Sequence, residues 1–212
     1  AEGHLGNRFV LFSNKDQKIV SDFKQSVYDF DDNLRIERHS DDSCFRVSQI
    51  KKVMKEQSSR DENGQFINNP KWDHSSIRNW LEELKLYETR SLTKFVPDCI
   101  FTMPKHQISL FLNRLFSCDG TIYKKANHWF VSYCSISDQL ISQVQHLLLR
   151  FGIVAKIRKK VNQKGFEANE LEIYGENVNT YLQEIGFYGK KEERSVIALK
   201  EFSLLSYLLA AR

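Results

Sequence analysis

Proline occurs only three times and glycine nine times in this chain of 212 residues. Counts that low exclude long flexible or proline-rich linkers. Long apolar runs are missing too. The most apolar stretch, 196–211, is interrupted by Lys200 and Glu201 and falls short of the roughly 20 residues a bilayer span needs, so a buried helix and no membrane partner are expected. Residues 1–6 are not an apolar run with basic flanks, and no secretory signal is expected there. The four cysteines, Cys44, Cys99, Cys118 and Cys134, include no Cys-x-x-Cys pair, and no His-x-x-x-His accompanies them. That argues against structural zinc and against a disulfide framework. Reduced thiols in a cytoplasmic protein are the expectation. No single charge dominates: 31 basic residues face 27 acidic ones, for a net charge of +4 and a pI near 8.8. Such a balance permits a nucleic-acid partner without requiring one. With 41% hydrophobic and 27% charged residues, the chain has the composition of a globular protein, one large domain or two small ones.

What the chain does have is an internal repeat. Phe9-Val10 matches Phe130-Val131 at an offset of 121, and Asp16-Gln17 with Ile19 matches Asp138-Gln139 with Ile141 at an offset of 122. Further on, "WLEELKLYETR" from Trp80 matches "YLQEIGFYGKK" from Tyr181 at an offset of 101. The offset falls by 21, so the first half carries about 21 extra residues. The polar stretch 56–75 is the place for them and reads as a surface loop. Each unit follows one order. A strand (9–13; 129–134) leads into an amphipathic helix (16–30; 138–151), capped by Asn14 or Ser137. Two strands follow (34–39 and 44–48; 153–161 and 166–174), then a closing helix (76–87; 176–187). In the second unit a helix over 104–119 and a short strand through Ile122 come first. Antiparallel sheets with helices on one face are expected.

That opening helix, "SLFLNRLFSCDGTIY", raises a question. A carboxylate at the negative end of a helix dipole is disfavoured by a few tenths to about 1 kcal/mol, yet this helix ends on Asp119. Gly120 reads as the left-handed glycine that stops a helix. Charge on the uncovered sheet face is the second feature. Alternation along 153–161 puts Val154, Lys156, Arg158 and Lys160 on one side. Lys124 and Lys125 lie near the turn after the helix, and Arg35, Arg38 and Arg46 come from the later strands of the first unit. A cationic row on an open sheet suits a phosphate backbone, and antiparallel ribbons fit the major groove. Glu37, Glu170 and Glu172 dilute that charge, and a solvated outer face is the plain alternative.

The residues "LNRLFSCDG", Leu112 to Gly120, resemble the nine-residue motif of the LAGLIDADG homing endonuclease family. The resemblance implies an α+β fold of tandem αββαββα repeats with antiparallel, saddle-shaped sheets, here with the first helix of repeat one missing. It divides the chain into a first repeat over 1–97, with its polar insertion at about 56–75, a second repeat over 98–191 and a C-terminal helical tail over 192–212. In that family two motif helices pack side by side, and their terminal carboxylates hold divalent metal at the scissile phosphates. Asp119 would be one of those carboxylates. "AEG" at Ala1-Glu2-Gly3 mirrors "CDG" at Cys118-Asp119-Gly120, and Glu2 is the second if the first helix-to-strand loop is four residues shorter. The cofactor implied is Mg2+ or another divalent cation. The first motif helix would then lie upstream of Ala1, and Ile108, Leu112, Leu115 and Phe116 would lose part of their packing against it. An incomplete, inactive piece of a longer protein is the expectation.

Segments 80–101 and 181–191 look like those that follow the second strand pair in intein-borne members, where a lysine approaches the cleavage site. Lys94 is the candidate in the first unit, and Lys190 or Lys191 in the second. Three departures from the motif stand out: Arg114 where a small residue is usual, Ser117 where aspartate is common, and Cys118 for alanine. Arg114 must snorkel away from the helix contact or loosen it.

The resemblance implies a site-specific, metal-dependent double-strand DNA endonuclease in an intein, with double-stranded DNA as partner. The chain would act as a monomer through its two repeats, with splicing segments and a host protein in the full-length chain. The chain begins without a cysteine or serine nucleophile and ends without His-Asn, so splicing is not expected of it alone. A relative of the same fold that binds DNA without cutting, or acts as an RNA-splicing maturase, is the alternative. A third reading takes Asp119-Gly120 for a hairpin turn in a generic α+β binding domain.

Overall fold

The computed structural model describes residues 3–5, 10–39, 42–52, 54–56, 59–65, 71–87, 89–161 and 165–210. They fall into two compact units, one of residues 3–13 and 20–88, the other of residues 89–212 with 14–19. The architecture is α+β with two four-stranded antiparallel sheets. No helix among the described residues is long and apolar enough to cross a membrane.

The first unit contains β1 (Gly3–Leu5), β2 (Val10–Ser13), β3 (Leu34–Arg38) and β4 (Cys44–Gln49) in the order β1-β2-β4-β3. Helices α1 (Gln17–Phe30) and α2 (Ser76–Glu83) belong to the same repeat. Val27, Leu34, Val47 and Ile77 are buried together, with Val10, Phe23, Ile36 and Leu81 packed against them. The start of α1 differs from expectation. Asn14 accepts the amide of Asp16 at 2.8 Å, while Asp16 accepts that of Lys18 at 3.0 Å. The carboxylate therefore caps the helix, where the dipole favours it, and Asn14 closes the turn before. Residues 56–75 are not simply a loop: β5 (Met54–Glu56) pairs with β6 (Lys71–Trp72), so a two-stranded ribbon forms their base. α2 stops four residues early because Lys85 takes a left-handed φ of 57°.

The second unit runs α3 (Asp98–Thr102), α4 (Lys105–Asp119), β7 (Gly120–Lys125), β8 (His128–Ser135), α5 (Asp138–Leu149), β9 (Ala155–Val161), β10 (Glu167–Tyr174), α6 (Glu176–Glu184) and α7 (Lys191–Ala210). Its sheet order, β7-β8-β10-β9, repeats that of the first unit. Ser137 caps α5 by accepting the Leu140 amide at 3.1 Å. The tight turn between β7 and β8 is Ala126-Asn127, both at positive φ (46° and 64°), as a two-residue hairpin demands. Asp119-Gly120 is instead a helix-to-strand junction, which removes the hairpin-turn reading of that dipeptide.

Period-2 alternation sets the core. Val131 and Tyr133 of β8, with Leu171 and Ile173 of β10, face the helices and are buried. α4 lays Ile108, Leu112, Leu115 and Phe116 on them, spaced for one helix face and none more than 8% exposed. Those four were expected to need an upstream helix. They are satisfied within their own unit, and Leu110, on a different face of α4, is 54% exposed.

Candidate nucleic-acid interface and carboxylate site

α4 ends on Asp119, and the backbone runs straight into β7. Gly120 has φ −80° and ψ 173°, an extended conformation, so the left-handed stop expected there does not form. The glycine is required for space: a Cβ would sit 2.7 Å from the Phe116 carbonyl oxygen and 2.9 Å from the Phe116 ring. Asp119 itself is exposed at the helix end. Its negative charge, after burial, helps push the buried Tyr133 hydroxyl well above the usual tyrosine range.

Around this end the segment after α6 grips α4. Asn113 Nδ2 donates to the Ile185 carbonyl at 2.8 Å. The Tyr188 amide donates to Ser117 Oγ at 2.8 Å. Lys191 Nζ donates to the carbonyls of Phe116, Ser117 and Cys118 at 3.2, 2.6 and 3.1 Å. The Arg114 guanidinium lies 4.1 Å from the Tyr188 ring centroid and donates to Asn113 Oδ1 at 2.8 Å. Ser117, in the position where aspartate was expected, is buried and hydrogen-bonded on both sides, since its hydroxyl also donates to the Asn113 carbonyl at 2.6 Å.

The other predicted lysines behave differently. The Lys190 side chain is exposed, and it is the backbone amide of that residue that is engaged, 2.6 Å from Asp16 Oδ2. Burial works against ionisation of Asp16, but the amides of Lys190, Lys18 and Ile19 outweigh it and hold the carboxyl below its usual range. Lys94 is half-buried, and its carbonyl accepts the Ser137 hydroxyl at 2.6 Å.

Glu2 lies outside the described residues. Its neighbour Gly3 stands opposite Phe12 in the first sheet, with Leu5 opposite Val10. In the second sheet Gly120 stands opposite Tyr133, with Ile122 opposite Val131. Because Val10 and Val131 are repeat partners, Gly3 is the counterpart of Gly120. The path between the paired positions is four residues shorter in the first sheet (3 to 12) than in the second (120 to 133).

The face of the second sheet away from the helices carries Tyr123 and Lys125 of β7, Phe130, Ser132 and Cys134 of β8, Glu170 and Glu172 of β10, and Lys156, Arg158 and Lys160 of β9. It forms an open depression of about 590 Å³. The basic row is not a bare set of cations. Arg158 donates to Glu170 at 3.0 Å and also binds Glu172, and Lys160 donates to Glu170 at 2.9 Å. Burial disfavours the Glu170 carboxylate, yet Lys160 and Arg158 overcome this and hold it below its ordinary range. Tyr123 donates to Glu172 at 2.8 Å, and burial first, then that carboxylate, pushes its hydroxyl up to about 12. The Tyr123 and Phe130 rings stack at 5.4 Å. Among the described residues, Lys125 and Lys156 have no acidic partner on this face.

Strand parity separates the remaining basic residues. Lys124 points to the helix-covered face, where it pairs with Glu201 of α7 at 2.6 Å, a carboxylate that also accepts Trp129 Nε1 at 2.9 Å. In the first unit Arg35 and Arg46 share a face with Glu37, which they contact at 3.1 and 2.6 Å. Arg38 stands opposite Phe45, on the other face, and pairs with Asp42 at 2.9 Å. Sequence reasoning missed Tyr123, Asn113 and Tyr188. Tyr123 was readable from alternation with Lys125; the other two had no local signal, since their partners lie about 70 residues away.

Asp119 is an exposed oxygen donor suited to a hard divalent cation, which completes its shell with phosphate and water oxygens. Among the described residues no group of three or more His, Cys, Asp or Glu side chains could hold a metal.

Residues 106–186 match the LAGLIDADG-like domain family. The replicative DNA helicase DnaB of Synechocystis sp. is 35% identical over 129 residues, 58% of this chain and 15% of that protein. A DNA polymerase of Thermococcus hydrothermalis is 27% identical over 124 residues, 55% of this chain and 7% of that protein. The chain thus spans about a seventh or less of the length of these relatives. Full-length WhiA from Thermatoga maritima has the same fold, with a TM-score of 0.51 at 12% identity over all of this chain and 62% of that one.

Proposed function

We propose that this chain is the endonuclease domain of an intein, cutting both strands of a specific DNA site with the help of a divalent cation. The observation that carries the reading is the matched register of the two sheets. Gly3 and Gly120 are counterparts, and in the sequence Glu2 precedes one as Asp119 precedes the other. Two carboxylates at equivalent points of a repeat are the arrangement a shared cation site needs.

Asp119 and Glu2 would hold Mg2+ or a similar ion, which when bound offsets charge at the phosphate during in-line displacement. The open sheet face would lie against double-stranded DNA. Lys125 and Lys156 would meet phosphates, while Tyr123 and the Arg158–Glu170–Glu172 network would present oriented polar groups to base edges. Lys94 and Lys190 remain candidates for steadying charge near the cut. A helicase and a polymerase perform different chemistry, yet a small part of each resembles this chain. A segment that moves between host genes accounts for that, and the monomer would act through its two repeats.

The test is a duplex library of randomised sites, incubated with the full-length intein and Mg2+ and selected for cleavage. Enrichment of one site, cut on both strands, is expected. Asp119→Asn should abolish cutting and leave binding of the selected site intact. Binding of duplex DNA without cutting would favour a DNA-binding protein of the same fold. Undiminished cutting by Asp119→Asn would remove the carboxylate from the chemistry.

A further inference from the structure

Many helices close their unpaired terminal carbonyls by a left-handed residue that folds the chain back. α4 lacks this closure, since Gly120 is extended. The Phe116 carbonyl accepts the Gly120 amide. The ammonium of Lys191 reaches the carbonyls of Phe116, Ser117 and Cys118, at 3.2, 2.6 and 3.1 Å. An ammonium has three N–H donors, and three carbonyls lie within their reach.

Lys191 is placed there against the preference of its own helix. It is the first residue of α7, the positive end of a helix dipole, where a cation is disfavoured. The negative end of α4 offsets this, and the same cation offsets the Asp119 carboxylate on that end. The approach of Lys191 is fixed upstream: Ile185 is tied to Asn113, Tyr188 to Ser117, and Lys190 to Asp16. Gly189 between them has φ +73°, and a Cβ there would collide with the Asp16 carboxylate.

We propose that Lys191 is a positioning residue: its ammonium closes the C-terminal end of α4 and thereby fixes where the Asp119 carboxylate stands. Its donors are engaged by the helix, so it does not itself polarise water or bind the scissile phosphate. The closure concerns α4 whatever the protein does; its consequence for cleavage rests on the nuclease reading above.

Hydrogen–deuterium exchange on the chain compares Lys191→Met, Lys191→Arg and the unsubstituted protein. Lys191→Met should speed exchange in the peptide over 116–121 at least tenfold and leave the β9–β10 peptides unchanged. Lys191→Arg, which keeps the charge and the donors, should restore most of the protection. If Lys191→Met unfolds the whole chain, Lys191→Gln, with two donors and no charge, should show an intermediate rate at 116–121. Unchanged exchange in either neutral variant overturns the proposal. Against the site selected by cleavage, Lys191→Met should lower kcat with little change in DNA affinity, and Lys191→Arg should recover it. Loss of cleavage that Lys191→Arg fails to rescue, with exchange unaltered, would make the ammonium a catalytic residue instead. A protein that cuts no DNA defeats the nuclease reading, and the exchange rates still decide this one.

Discussion

The Ser117 hydroxyl accepts the backbone N–H of Tyr188 at 2.8 Å while donating to the Asn113 carbonyl, and it does so fully inside the protein. It is the middle bolt between α4 and the segment that follows α6. Ser117→Ala leaves the Tyr188 amide without its partner and should cost about 1–3 kcal/mol in urea denaturation. Ser117→Asp, the residue common in the motif, should cost more, because a buried carboxylate would face the Asn113 carbonyl that the hydroxyl now donates to. Ser117→Ala as stable as the parent would show that the Tyr188 amide finds another acceptor.

Gly120→Ala tests why the motif ends in glycine. The backbone conformation there suits any residue, but the added methyl would lie 2.7 Å from a main-chain oxygen of α4. Either the helix end or β7 must move, at about 1–3 kcal/mol. A left-handed requirement would instead be relieved by asparagine, which tolerates positive φ. Gly120→Asn should therefore be at least as harmful as Gly120→Ala, and a milder effect of asparagine would contradict the steric account.

Local pattern carried most of the fold. The strand alternation and the Ser137 cap are legible because each depends on residues a few positions apart, and the repeat is legible because two segments of the sequence match each other. What stayed hidden depends on long-range partners. Lys191 and Lys190 were neighbours competing for one role, and only the folded chain separates an ammonium bound to α4 from an exposed one. Arg38 and Lys124 were grouped with the basic face although parity alone places them opposite Arg46 and Lys125. That Glu170 and Glu172 dilute the charge of the basic row is legible, but which cation each one binds is not, because the partners sit on neighbouring strands, 10 to 14 residues apart.

Lys156 and Lys124 should therefore part company in DNA binding. Lys156 is exposed on the open face without an acidic partner among the described residues, whereas Lys124 is paired with Glu201 behind the sheet. Lys156→Ala should weaken binding of duplex DNA and reduce the salt slope by about one. Lys124→Ala should leave the slope unchanged. Equal slopes for both variants would mean that the open face is not the surface that meets phosphate.

Glu170 gives the network a pH signature. Its side chain is 6% exposed, and Lys160 with Arg158 holds the carboxyl below the ordinary 4.5 despite burial. A carboxyl depressed in the folded state stabilises it above the unfolded value, and the gain is lost as pH falls through the folded one. Glu170→Gln cannot ionise. The stability gap between parent and Glu170→Gln should thus be fully open above about pH 5 and close as the pH falls below about 4.5. Its plateau should be modest, about 1 kcal/mol, because Arg158 and Lys160 are about half exposed (48% and 57%) and water screens the pairs. Urea denaturation at a series of pH values measures it. A gap that stays constant from pH 3 to 7 would mean that Glu170 contributes shape and not charge. Arg158→Ala should then harm stability far less than the uncovering of two buried carboxylates demands.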